Sequence, residues 1–466
     1  MIQHQEKGGS PKEAGEMEGN TRKARRTKII NVCNRENIMK LLIISHNPIS
    51  TYQNMGKTML SLFSRFKKEE LCQLYIYPSV SDVDLCESYY RITDKSVIKG
   101  MLTRHVKGET TLPNLEWHEK FENEEDRLLY SNPKNIKSYR QLARDIIWKI
   151  APWWNNELKT WIDQMEPDCV FLVPGNNAFI YDVALKISQN YKVPIISYIC
   201  DDYFFVKKSK QWLEKIRTYF VRKKISETME KSQAIITICD ELNKAYSSFF
   251  LKNTVTIMTG SNHNISSDIY SKKKITTMTY MGNLSCNRDN ALCDIGIALD
   301  EINNSRNTAY RLDVYTHLSE AMKQKFADIN SVRLYDFVSG SDFEKVFWNV
   351  DLFLHVEDFS EESIDRVKHS VSTKIADILA SGIPLFAYGP ENIASMAHLK
   401  RNECAICVTE KDELKNTLER AFVNQKIRDG AAQNGLKTAE LYHNAYEDSI
   451  RLHKFLEEVY KRFDIC

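Results

Sequence analysis

The segment Asp351–Pro390 narrows the choice of fold more than any other part of the chain. Two short apolar runs, Asp351–Val356 and Ile383–Tyr388, are bounded by turn residues and separated by helix-like sequence. Runs this short and this continuously apolar fit parallel strands buried between helices. The stretch between them reads as an acidic loop and then a helix starting near Lys374. Ser370-Val371-Ser372-Thr373 offers hydroxyls to cap that helix. Ser381-Gly382 stops it, because glycine takes the left-handed C-cap without a Cβ clash.

The same helix start is suited to an anion. Its free backbone N–H groups and its dipole point outward, and Ser372, Thr373 and Lys374 flank them. Lys374 and Asp377 are three residues apart and share a helix face. A cation for phosphate and a carboxylate for ribose hydroxyls then sit together, which suits a nucleoside diphosphate. At this point the run STKIADILASGIPLFAYGP resembles the donor-binding segment of GT-B glycosyltransferases, above all the large retaining group called family 4. The resemblance implies that Asp377 hydrogen-bonds the ribose of a sugar nucleotide. Many relatives carry two glutamates separated by seven residues, and here the first position holds His369. Glu357, Asp358, Glu361 and Glu362 lie upstream as candidates to replace that glutamate, and the sequence does not choose among them.

A chain of 466 residues is long enough for two or three domains. With 42% hydrophobic and 27% charged residues it has the composition of a globular protein. A net charge of +2 provides no strong global field, so nucleic acid is not an expected partner. The 11 cysteines are scattered without framework spacing and read as reduced cytosolic thiols. Cys404-Ala405-Ile406-Cys407 is a C-x-x-C, but it lies in an apolar, strand-like run with no second ligand pair nearby. No apolar run approaches the ~18–20 residues of a membrane-spanning helix. Residues 1–38 are polar, with a basic Thr21–Lys28, and are expected to be a disordered leader without a signal-peptide core.

From Lys40 the chain reads as a Rossmann-like opening. A buried Leu41-Leu42-Ile43-Ile44 strand leads into a polar loop, Ser45–Ser50, and then a helix near Gly56. The loop is not G-x-G-x-x-G, so a dinucleotide is not indicated. His46 and Asn47 are candidates to face a cleft, or else belong to a helix-capping loop. Residues 78–140 look irregular. Four of the seven tryptophans, Trp148, Trp153, Trp154 and Trp161, fall in the next amphipathic stretch and read as core or interface. Further strands are expected at Pro167–Val173, Val193–Tyr198 and Ala234–Cys239. Asp201-Asp202 follows a strand end, where parallel sheets face their ligands. The pair either orients or deprotonates an acceptor hydroxyl or caps the next helix. Lys207–Lys224 has eight basic residues and one acid, interleaved with aromatics. It reads as a solvated helix or as one that lies on an anionic membrane surface.

The second half opens with Thr276–Tyr280 and then Met281-Gly282-Asn283-Leu284-Ser285-Cys286-Asn287-Arg288. This run resembles the family's G-x-L-x-x-x-[KR] segment. The resemblance implies that Gly282 lets the backbone approach the diphosphate and that Arg288 contacts it. Asn283 stands where many relatives have a basic residue.

The expected architecture is therefore α/β, with two Rossmann-like domains facing a cleft. The acceptor domain spans 39–260 and the donor domain 261–432, with 433–466 a helix crossing back to the first. The resemblance implies transfer of a sugar from a nucleotide diphosphate to a hydroxyl of a glycan or lipid-linked glycan, with retention. It implies no metal and no cofactor beyond the donor. The expected site is Asp201, Asp202 and His46 for catalysis, with Gly282, Asn283, Arg288, Ser372, Thr373, Lys374 and Asp377 for the nucleotide. The expected location is cytoplasmic, in polysaccharide biosynthesis, with Lys207–Lys224 touching the inner membrane face. The alternative is an inactive subunit of the same fold that stabilises a partner glycosyltransferase.

Overall fold

A computed structural model describes residues 39–51, 54–115, 138–205, 212–261, 263–270 and 272–465. The expected leader and residues 207–211 of the basic segment lie outside this set. The first lobe is built on β1 (Leu41–Ser45), β2 (Leu71–Tyr75), β3 (Ser88–Arg91), β4 (Glu109–Thr111), β5 (Cys169–Val173), β6 (Ile195–Ile199), β7 (Ala234–Thr237) and β8 (Thr254–Thr256). They lie in the order β4-β3-β2-β1-β5-β6-β7-β8. All neighbours are parallel except the β3/β4 pair. Every residue of β1, β2, β5 and β6 is buried. Helices cover both faces of the sheet, so neither side of these strands reaches water.

The second lobe holds β9 (Thr277–Met281), β10 (Arg311–Thr316), β11 (Val332–Asp336), β12 (Phe353–Val356), β13 (Leu385–Tyr388) and β14 (Ile406–Val408). Their order is β11-β10-β9-β12-β13-β14, all parallel. Each sheet reverses its strand order once, between β1 and β5 and between β9 and β12. At such a reversal adjacent loops diverge and leave a crevice beyond the carboxyl ends of the strands.

Some local expectations need correction. Residues 78–140 are not irregular throughout: they contain β3, a helix at Asp94–Thr103 and β4. The acidic loop after β12 contains a short helix, Glu361–Val367, with Glu361 and Glu362 in its first turn. There their charge favours the helix dipole. Trp148, Trp153 and Trp161 are core residues, and Trp148 stacks on Phe179 at 4.4 Å. The expected terminal tract is two helices, Gln425–Tyr442 and Ala445–Ile465. The first packs on the second lobe. The last crosses back and lies against the Asn54–Leu62 helix, placing Leu452, Leu456 and Val459 in the first lobe's core.

Between those two helices sits a buried histidine pair. His443 Nδ1 is 2.9 Å from the Thr259 carbonyl, which only accepts, so Nδ1 carries the proton. His443 Nε2 must then accept from His398 Nε2, 3.1 Å away. Burial pushes the pKa of His443 down to about 4 and that of His398 to about 3. The neutral pair ties the Ala394–Arg401 helix of the second lobe, the segment after β8 and the junction before the returning helix together.

Candidate functional site

The carboxyl ends of β9 and β12 open into a cavity of about 200 Å³ between the lobes. Met55, Thr58 and Asp201 line it from the first lobe, and Gly282, Asn283, Arg288, Ser372, Thr373, Lys374 and Asp377 from the second. The two cations expected at a diphosphate therefore share one concavity, although they are distant in sequence.

Arg288 is the first residue of the Arg288–Arg306 helix, which a left-handed pair at Cys286 and Asn287 turns out of the β9 loop. Its guanidinium makes a two-pronged ion pair with Glu357, Nε to Oε2 at 2.9 Å and Nη2 to Oε1 at 2.7 Å. Burial pushes the Glu357 carboxyl up, and Arg288 opposes that shift. Of the upstream acids, Glu357 is thus committed to Arg288. Asp358 accepts from Asn290 Nδ2 at 3.2 Å and caps the turn at Ser360. Gly282 has a local reason to be glycine: a Cβ there would meet the Tyr280 hydroxyl at 2.9 Å. Asn283 turns its carbonyl to Tyr280 Oη at 2.6 Å and its side-chain oxygen to the backbone of Ser285.

The Thr373–Ser381 helix aims its first turn into the cavity. Ser372 occupies the N-cap, but its side chain makes no capping bond, contrary to the expected hydroxyl cap. The hydroxyl remains available to a ligand, as does that of Thr373. Gly382 closes the helix at φ +73, and a Cβ there would meet the Asp268 carbonyl oxygen at 2.3 Å. Lys374 is half-buried and has no carboxylate within ion-pair distance among the described residues. Burial, then Lys57 and Arg288, push its pKa down to about 8. A cation held in this way gains from any anion that enters. Asp377 lies one turn on, buried, and accepts from Ser261 Oγ at 3.1 Å.

The three residues expected to be catalytic are not brought together. Asp201 lines the cavity, while one of its oxygens accepts from Ser370 Oγ at 3.0 Å across the lobes. Asp202 lies off the cavity. Its Oδ1 accepts from the backbone of Phe204 and Phe205, both at 2.9 Å, and its Oδ2 meets His369 Nδ1 at 2.7 Å. His46 lies at the first lobe's own strand-order reversal. Its Nε2 lies 3.0 Å from Arg144 Nη1, a donor, and 3.2 Å from Asn177 Oδ1, an acceptor, while its buried Nδ1 has no hydrogen-bond partner among the described residues. Burial, with the Arg144 guanidinium next, pushes its pKa down to about 3. A His46 held neutral in this way is a poor base.

The sequence reading missed Lys57 on the first helix, the Arg288–Glu357 pairing and the His369–Asp202 contact. His369 and Asp202 are 167 residues apart, and no local pattern signals such a meeting. The Cys404–Cys407 segment is structural here. Burial pushes both thiols up to about 12, so neither is poised as a thiolate. Among the described residues no group of three or more His, Cys, Asp or Glu side chains is arranged to hold a metal ion.

No family model matches the chain, and no curated protein matches it in sequence. Solved structures do match in shape. HepE from Anabaena, in complex with UDP, aligns at TM-score 0.58 and 12% identity, over 90% of this chain and 100% of its own. Sucrose-phosphate synthase from Thermosynechococcus elongatus aligns at 0.59 and 9%, over 91% and 100%. An α,α-trehalose 6-phosphate synthase from Burkholderia multivorans aligns at 0.57 and 9%, over 92% and 98%. The architecture is the GT-B fold, two parallel α/β lobes facing a cleft with the last helix returned to the first lobe.

Proposed function

We propose that this protein is a glycosyltransferase that moves a sugar from a nucleotide diphosphate to a hydroxyl of a glycan or lipid-linked glycan, with retention at the anomeric carbon. One observation carries the reading: Arg288, Lys374 and Asp377 converge on a single interlobe cavity at the second sheet's strand-order reversal. In this fold the HepE structures hold UDP and UDP-glucose, which supports a uridine nucleotide as donor. The diphosphate lies against Lys374, Arg288 and the free N–H groups of the Thr373–Ser381 helix, and Asp377 takes the ribose hydroxyls. As the bond from the anomeric carbon to the diphosphate breaks, these groups offset the charge that builds on the leaving oxygen. Such preorganised electrostatics is usually the largest catalytic term, and no metal is needed to supply it. Asp201 orients the acceptor hydroxyl from the opposite wall. The setting proposed is cytoplasmic polysaccharide biosynthesis.

A second reading, an inactive subunit that stabilises a partner transferase, is favoured by His369 in place of the expected glutamate and by the neutralisation of Arg288 by Glu357. Incubation with a panel of UDP- and GDP-sugars, with mass-spectrometric detection of released nucleoside diphosphate and glycosylated acceptor, decides between them. Release coupled to transfer establishes the enzyme. Nucleotide binding with no release or transfer from any donor favours the subunit.

A further inference from the structure

Three helices of the first lobe expose apolar stripes where soluble helices show charge. The helix Trp212–Lys231 buries Arg217, Val221, Ile225, Thr228 and Met229 against the lobe. Its opposite face carries a second apolar row at helical spacing: Trp212 is 68% exposed, Ile216 39%, Tyr219 64% and Phe220 50%. The helix Ser138–Ile150 packs beside it and exposes Ile146 and Ile150. The helix Asp94–Thr103 packs beside that one in turn and exposes Ile98 and Leu102, the latter 85%. Adjacent exposed rows of this kind make a broad apolar platform, which water alone does not favour.

The charge on the platform is mainly basic. Lys99, Lys149, Lys215 and Lys223 are exposed beside the apolar rows and have no ion-pair partner among the described residues. Of the nearby acids, Asp94 pairs with Arg144 at 2.9 Å, Glu214 with Arg217 at 2.7 Å, Glu227 with Lys224 and Lys231 at 2.9 and 3.0 Å, and the exposed Glu109 with Arg91 at 2.8 Å, while Glu230 is exposed near the end of its helix. Lysines that ring exposed Trp, Tyr, Phe and Ile fit a negatively charged bilayer surface, where the rings enter the headgroup boundary and the ammonium groups meet lipid phosphates. Among the described residues no helix is long and apolar enough to cross a membrane, so the contact is with the surface.

We infer that this three-helix platform docks the first lobe on an anionic lipid bilayer. Arg217 of the Trp212 helix donates to the Asn176 carbonyl at 2.9 Å, in the loop beyond the carboxyl end of β5 and on the same edge of the sheet as Asp201, which lines the cavity. Docking therefore sets the acceptor wall of the cleft next to the lipid surface, where a lipid-linked acceptor is delivered without leaving the bilayer. That last step rests on the proposed transferase reading; the docking itself does not.

The test uses the full chain and flotation with phosphatidylcholine vesicles, with or without phosphatidylglycerol. The wild type is expected to float only with the anionic vesicles. Lys215→Glu/Lys223→Glu and, separately, Trp212→Ser/Phe220→Ser are expected to weaken flotation by tenfold or more, since each lysine near such a surface contributes on the order of 1 kcal/mol. A thermal shift with UDP is measured on every variant. An unchanged shift shows that the fold and the cleft are intact, and loss of the shift in the wild type strikes the nucleotide reading and not the docking. Equal flotation with neutral vesicles, or no flotation at all, overturns the inference. So does a concentration-dependent dimer, seen by sedimentation and removed by Trp212→Ser/Phe220→Ser, because it assigns the platform to a second copy of the chain.

Discussion

Lys374 concentrates the chemistry of the site. It sits at a helix start, where burial, and after it Lys57 and Arg288, push its pKa down to about 8. The free protein therefore starts to lose this proton above neutrality. A bound diphosphate restores the charged form, so binding above pH 8 requires proton uptake. UDP affinity is expected to be flat below about pH 7 and to fall by up to about tenfold per pH unit above 8. Calorimetry in buffers of different ionisation enthalpy reads both the affinity and the proton taken up. The Arg288–Glu357 pair gives a second expectation. Glu357 is 4% exposed and holds a guanidinium that also lines the cavity. Glu357→Gln removes the competing charge, and breaking such a buried pair costs about 3 kcal/mol. The variant is expected to melt earlier and yet bind UDP more tightly than the wild type. A variant that loses both stability and affinity points instead to Glu357 as a ligand of the sugar.

At the level of elements, the Thr373–Ser381 helix depends on how it ends. Gly382 has φ +73, and a Cβ there would run into the Asp268 backbone. Gly382→Ala therefore meets both left-handed strain and a backbone clash and is expected to cost about 2 kcal/mol or more, read by urea denaturation. This stop was legible because a Ser-Gly pair after an apolar helical run has one common meaning. Strands β1 and β12 were legible because burial on both faces leaves a continuous apolar run. Strand β4 was not: its Glu109-Thr110-Thr111 lies antiparallel at the sheet edge and is mostly exposed. The Glu361–Val367 helix was hidden because paired glutamates read as loop, although acids in a first turn stabilise a helix. The junction between the last two helices titrates. His443 has a pKa of about 4 in the fold against 6.5 as its ordinary value. The unfolded chain binds that proton first, so the stability is present above pH 6.5 and is lost as pH falls towards 4. The loss amounts to about 3 kcal/mol. His443→Gln is expected to flatten the fall in melting temperature between neutral pH and about pH 4.5. An unchanged slope would assign the acid sensitivity elsewhere.

In the whole molecule, the lobes meet through contacts that no local pattern announces. Asp202 reaches His369, Ser370 reaches Asp201, and Arg401 reaches Asp240 and Glu241 at 3.2 and 2.5 Å. The two-lobed plan was legible, as was the meeting of Gly282, Arg288, Lys374 and Asp377 at one cavity, because each rests on a short motif within one lobe. The arrangement of the first-lobe residues was not, since it depends on how the lobes close. Asp202 stands away from the cavity with its carboxylate taken by the Phe204 and Phe205 backbone and by His369, and His46 with its ring held by Arg144 and Asn177 of its own lobe. Asp202→Asn leaves its turn hydrogen bonds possible but weakens the charged contact with His369, so it is expected to loosen closure and lower turnover with little effect on UDP affinity. The most direct test of the whole account is calorimetric titration of UDP into the wild type, Lys374→Ala and Arg288→Ala. Loss of a charge-assisted contact to phosphate is expected to weaken binding by about tenfold or more in each variant. Undiminished affinity in both variants, with the wild type binding, would remove the diphosphate from the interlobe cavity.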